Sequence, residues 1–155
     1  FNHRYYEPSL RTLPVPALLV RQKSEAWDHP FIAVYEPYGN GEKAQIHSVY
    51  TGKTSKQKGV AKLSVEYFKK DKVDHIIHSV NEKTEVKYMG IRFIGTYCVA
   101  TMEKGRLVSL YIGNGYSFSM DGLEVSLGEG KPFDAWLEWR DGEWICHSRE
   151  SVKVK

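Results

Sequence analysis

Lys53, Lys56, Lys58 and Lys62, with Lys69, Lys70 and Lys72 shortly after, form the densest run of positive charge in the chain. Ammonium groups on flexible stems suit sulfated or uronic polysaccharides as readily as phosphates. Solvated loops that blunt the edges of a β protein are the plainer use of the same residues. A surface for single-stranded nucleic acid interleaves its cations with stacking aromatics, and only Tyr67 and Phe68 lie near this run. That argues against nucleic acid as a partner.

Trp136, Trp139 and Trp144 flank Asp141-Gly142, a tight-hairpin signal. Strand alternation places Trp136 with Glu138 on one face and Trp139 with Ala135 and Leu137 on the other. One face is then core and the other partly exposed. An exposed indole packs against sugar C–H groups, but it packs equally well against a neighbouring domain.

His75 and His78 are the closest histidine pair among six. On a strand, residues three apart point to opposite faces, so the alternation of His75 with Ile77 and of Ile76 with His78 argues against a shared metal ion. No metal or other cofactor is expected. Glu36, ahead of Pro37, is either a sugar contact or a local group that pairs with Arg21 or caps the turn of Pro37-Tyr38-Gly39. Arg21 is ambiguous in the same way.

Short runs of alternating apolar and polar residues, punctuated by glycine, position these groups. Strands are predicted at 17–22, 31–36, 44–50, 60–68, 73–79, 85–88, 92–96, 97–103, 107–112, 116–120, 123–127, 133–139 and 143–147. Asp121-Gly122 and Asp141-Gly142 supply the positive-φ residues of tight hairpins, and Lys104-Gly105 and Asn114-Gly115 do so less specifically. Many short strands at about ten-residue spacing predict an all-β protein, a single antiparallel β-sandwich. Residues 1–16, with Pro8, Pro14 and Pro16, are expected to be an extended lead-in, and 17–155 the sandwich domain. Gly52 to Gly59 lacks an apolar anchor and is expected to be a mobile loop.

The 155 residues, 41% hydrophobic, are enough for one core and short for two. No apolar run approaches the roughly 20 residues needed to cross a bilayer as a helix. A net charge of +3 is mild and permits at most weak affinity for polyanions. Cys98 and Cys146 allow one bridge at most, and their place in alternating strands favours buried free thiols. The opening Phe1-Asn2-His3-Arg4 has neither Met nor a signal series, so the chain is expected to be a portion of a longer protein.

Pro16-Ala17-Leu18-Leu19-Val20-Arg21-Gln22, followed by Phe31-Ile32-Ala33-Val34-Tyr35-Glu36-Pro37-Tyr38-Gly39, resembles the C-terminal β-sandwich part of the heparinase II/III-like and oligo-alginate lyase group. Those enzymes eliminate across glycosidic bonds beside uronic acids, using tyrosine, histidine, asparagine and arginine. The group's His-x-x-Asp … Gly-x-x-Leu-x-Asp-x-Gly stretch is absent from this chain. The resemblance therefore implies a non-catalytic portion, with no catalytic residue assigned, of a parent polysaccharide lyase whose catalytic domain or substrate cleft it braces. It implies an acidic polysaccharide and an upstream α/α toroid of the same chain as partners, and a periplasmic or extracellular location. Arg21, Glu36, Lys53, Lys56, Lys58 and Trp136 are the expected carbohydrate contacts. The alternative is a free-standing carbohydrate-binding or adhesion module.

Overall fold

The computed structural model describes residues 25, 31–37, 39, 41–52, 57–69, 71–128 and 130–155. These hold ten strands: β1 (Ile46–Thr51), β2 (Val60–Tyr67), β3 (Lys72–Ser79), β4 (Glu85–Tyr88), β5 (Ile91–Glu103), β6 (Arg106–Met120), β7 (Leu123–Ser126), β8 (Phe133–Arg140), β9 (Glu143–Ser148) and β10 (Lys153–Val154). Every pairing is antiparallel. The lead-in over 1–16 and the strand expected at 17–22 lie outside the described residues. The strand expected at 31–36 does not form. Its residues are mostly exposed and pair with no other strand among the described residues.

The two long strands, β5 and β6, make the sandwich. The first part of β5 pairs with β4 through Ile91 to Ile94, and the remainder pairs with β3 through Tyr97 to Glu103. In β6 the order is mirrored: Ser109 to Gly115 pair with β8 and Ser117 to Met120 with β7. Both strands pass between layers where the ladder bulges, at Ile94/Gly95 and Ile112/Gly115. Bulges of this kind turn strands from one sheet into the other at the corners of a sandwich. The larger layer runs β1-β2-β3-β5-β6-β8-β9, and the smaller runs β4-β5-β6-β7-β10.

At the bulge in β5 the in/out parity resets. Along β5, Ile91 and Phe93 point inward, and after the bend Cys98, Ala100 and Met102 do. The two strands expected at 92–96 and 97–103 are therefore one, as are those at 107–112 and 116–120. Asn114, expected in a hairpin, instead adopts φ +49° inside β6 at this bend. Four two-residue hairpin turns, Met89-Gly90, Lys104-Gly105, Asp121-Gly122 and Asp141-Gly142, have both residues at positive φ. That is the geometry of type I′ turns, whose twist matches that of the flanking strands.

One core fills the space between the layers. Ile77, Cys98, Leu110, Ile112 and Leu137 of the larger layer meet Val86, Phe93, Phe118 and Val125 of the smaller. Phe93, Phe118 and Phe133 are at most 2% exposed, and each such burial contributes about 2–3 kcal/mol. Both thiols are free, Cys98 buried and Cys146 half-buried. Cys98 on β5 and Cys146 on β9 are three strand steps apart, roughly 14 Å, twice the reach of a disulfide. Burial pushes the Cys98 thiol up to about 12.

Candidate carbohydrate-binding face

The register of β8 turns Phe133, Ala135 and Leu137 inward and Trp136 outward. The two-residue turn at Asp141-Gly142 aligns Trp136 with His147, and on the other side Trp136 faces Tyr111 of β6. Tyr111, Trp136 and His147 thus form a row across three neighbouring strands on the outer face of the larger layer. Trp136 is 44% exposed and Tyr111 47%. The rings of Trp136 and His147 are stacked, 4.8 Å between centroids at 21°. Tyr97 abuts Tyr111 edge-on at 6.1 Å.

Neighbouring polar groups hold this row in place. The Trp136 indole N–H donates to Ser109 Oγ at 3.3 Å. His147 Nε2 lies 3.3 Å from Glu138 Oε1, and Arg140 pairs with the other oxygen of the same carboxylate at 2.9 Å. Beside the rings runs an open groove of about 530 Å³, within the usual size of ligand sites. Asp134, Ala135, Ser148, Arg149 and Glu150 complete its lining. Asp134 Oδ1 accepts the Asn114 N–H at 2.7 Å, while the Ser148 hydroxyl donates to Glu150 Oε2 at 2.9 Å. A flat π surface with a guanidinium, carboxylates and a hydroxyl at its rim can pack a sugar ring and bond its hydroxyl or acidic substituents.

Of the expected contacts among the described residues, only Trp136 lies on this row. Arg21, Lys53 and Lys56 are outside the described residues. Lys58 is exposed in the turn before β2, four strand steps or roughly 19 Å from β8. Glu36 lies beside β1, five steps or roughly 24 Å from β8, where its Oε1 accepts the backbone N–H of Gln45 and, at 2.9 Å, of Ile46. It secures the start of β1. Tyr111, His147 and Arg149 were not among the expected contacts. His147 was within reach, because a two-residue turn at Asp141-Gly142 fixes its pairing with Trp136.

Histidine and tyrosine, residue types suited to elimination, also meet in a buried cluster. The Ser64 hydroxyl lies 2.8 Å from His75 Nδ1 and 2.7 Å from the Tyr88 hydroxyl. His75 and Ser64 are only 7% and 4% exposed, so no polysaccharide reaches them. The cluster ties β2 and β3 of one layer to β4 of the other. His78 points to solvent while His75 is buried, so the two do not share an ion. No group of three or more His, Cys, Asp or Glu side chains is gathered to hold a metal among the described residues.

Burial lowers the His75 pKa from its ordinary 6.5, against the weaker opposing pull of the Asp74 and Glu66 carboxylates. The unfolded chain therefore takes up a proton before the folded one does. Stability is complete above 6.5 and falls as pH drops below it. Urea midpoints are expected to decline from about pH 7 towards pH 5, and His75→Asn should flatten that decline. Glu82, held low by hydrogen bonds from Asn114 and Tyr116, and Glu85, held low by Arg92 and Lys87, act in a separate window below 4.5. A midpoint flat from pH 7 to 5 in the wild type would contradict the neutral, buried imidazole.

A family profile described as the endo-acting ulvan lyase C-terminal domain matches residues 44–138, more than half of the chain. The chain belongs to this family. An endo-acting ulvan lyase of Formosa agariphila (strain DSM 15362 / KCTC 12365 / LMG 23005 / KMM 3901 / M-2Alg 35-1) is 34% identical over 106 residues, covering 66% of this chain. The chain spans only 13% of that relative's length. No solved structure matches. The stretch that matches the ulvan lyase C-terminal domain runs from just before β1 into β8 and includes Tyr111 and Trp136. It begins after Ala17 to Gly39, so the resemblance to the heparinase II/III-like group rests on residues outside this match. No helix among the described residues is long and apolar enough to cross a membrane.

Proposed function

We propose that residues 17–155, after a link over 1–16, form the non-catalytic β-sandwich portion of a polysaccharide lyase acting on an acidic, uronic-acid-containing polysaccharide. The domain braces the catalytic part and holds the glycan on the face of Tyr111, Trp136 and His147. The observation that carries this reading is the half-exposed indole of Trp136, stacked on His147 beside an open groove, in a chain of the ulvan lyase C-terminal domain family. A relative several times longer than this chain supports a catalytic domain elsewhere in the parent protein. The motif at Ala17 to Gly39 supports an α/α toroid of the heparinase II/III-like kind, lying upstream. A polymeric acidic substrate places the protein in the periplasm or outside the cell. Arg21, Lys53, Lys56 and Lys58 are assigned to an electrostatic contact with the acidic polysaccharide, and Glu36 to the start of β1. A free-standing binding module would use the same aromatic face, but the family favours attachment to a lyase.

Affinity electrophoresis tests this directly. Alginate or an ulvan-type polysaccharide cast in the gel should retard the chain, and His147→Ala should be retarded less. Incubation with the same polymers should release no unsaturated uronate. Equal mobility with and without polymer would contradict the binding role, and enzyme-dependent uronate absorbance would contradict the non-catalytic one.

A further inference from the structure

At one end of the sandwich the β5–β6 turn, the β6–β7 turn, the tip of the β8–β9 hairpin and residue 155 surround a second cleft, of about 640 Å³. It lies on the side of β8 away from Trp136. Trp139 and Trp144 form one wall, paired across the hairpin and packed edge to face at 5.4 Å and 69°. In an edge-to-face pair one ring directs its edge at the other, which leaves indole surface free for a third group. Trp139 is 39% exposed, too open for a core residue, while Leu107, Met120 and Leu123 beneath the cleft are at most 8% exposed.

The rim carries Lys104 and Arg106 of the β5–β6 turn and Lys155, three cations from two separate segments, together with the carboxylates of Glu103 and Asp121. The three cations make no ion pair or side-chain hydrogen bond among the described residues. Elsewhere on the surface cations do find partners, as Arg92 does with Glu85 and Arg140 with Glu138. Indole surface combined with unpaired cations matches a ligand that offers C–H groups and negative charge together. A neutral sugar would leave the cations unused, and a simple anion would leave the indoles unused.

We propose that this cleft is a second glycan site, which takes an acidic oligosaccharide segment, its ring on Trp139 and its carboxylate or sulfate between Arg106, Lys104 and Lys155. The proposal rests on the reading that the domain handles an acidic glycan, but it uses a different surface. Two sites on opposite faces of one strand would bind a polymer far more firmly than either alone, provided a single chain can reach both.

Indole N–H resonances of the 15N-labelled chain test it. The four tryptophans, Trp27, Trp136, Trp139 and Trp144, are assigned by single Trp→Phe variants. Titration with an alginate-derived oligosaccharide and with a sulfated galactan oligosaccharide should saturably shift the Trp139 and Trp144 signals, and a neutral cello-oligosaccharide should not. Whichever acidic oligomer acts identifies the anionic group. The Lys104→Asn, Arg106→Ser, Lys155→Ser triple variant keeps a residue tolerant of the turn at 104, and should weaken the Trp139 response about tenfold while leaving that of Trp136 unchanged. Shifts confined to Trp136 would overturn the second site and leave the outer face standing. No indole shift at all would overturn both, and shifts produced only by a single-stranded oligonucleotide would overturn the glycan assignment.

Discussion

Gly95→Ala is expected to destabilise the fold by about 3 kcal/mol and to lower Tm by roughly 10 °C. Gly95 sits where β5 leaves one layer for the other, at φ +154°, a conformation that side chains with a Cβ rarely adopt. An added methyl would lie 2.5 Å from Phe93 Cζ, 2.7 Å from Gly115 Cα and 2.9 Å from Asn114 O. Two of these neighbours are backbone atoms, and the third belongs to a fully buried ring, so none can move aside cheaply. Gly122→Ala provides the control. Gly122 also has positive φ, +86°, but an added methyl there meets nothing within 4 Å. It should cost only about 1 kcal/mol, from backbone strain. Thermal unfolding of both variants checks the difference, and equal losses would contradict the close approach of β5 and β6 at the corner.

That corner also marks where the sequence stopped being legible. The alternation of each half of β5 and β6 could be read, but the parity reset at Gly95 and the bulge between Ile112 and Gly115 made two long strands look like four. The turns Asp121-Gly122 and Asp141-Gly142 announced themselves through residue types that accept positive φ. Met89-Gly90 adopts the same geometry without that signature, because the ladder between β4 and β5 imposes it. Over 31–36 apolar residues suggested a strand, yet a strand exists only with a partner, and Glu36 instead bonds the start of β1. The site followed the same division. Trp136 and its outward face were local facts of β8, and His147 followed from a two-residue turn. Tyr111 reaches Trp136 only through the pairing of β6 with β8, which crosses a bulge and a 12-residue interval between the strands' ends that no local pattern encodes.

Trp136→Ala should have the largest effect on binding. The substitution removes the indole and with it the stack on His147, the contact with the Tyr111 side of the groove and the bond to Ser109. Aromatic anchors at the centre of a binding patch contribute about 2 kcal/mol or more, which is roughly thirtyfold in Kd. Because the side chain stands on the outer face, the core is untouched, and Tm should change by only a few degrees. Loss of affinity without loss of fold is the signature that separates a binding platform from a structural tryptophan.

Isothermal titration of the wild-type chain and Trp136→Ala with one acidic oligosaccharide, at a fixed salt concentration, is the most direct test of the central claim. The account predicts saturable binding by the wild type and a Kd about thirtyfold weaker in the variant, with thermal unfolding of both nearly superimposed. A variant that binds as tightly as the wild type, or a wild type that releases no heat and shows no saturation, would contradict the assignment of the Tyr111, Trp136 and His147 face as the glycan-binding surface.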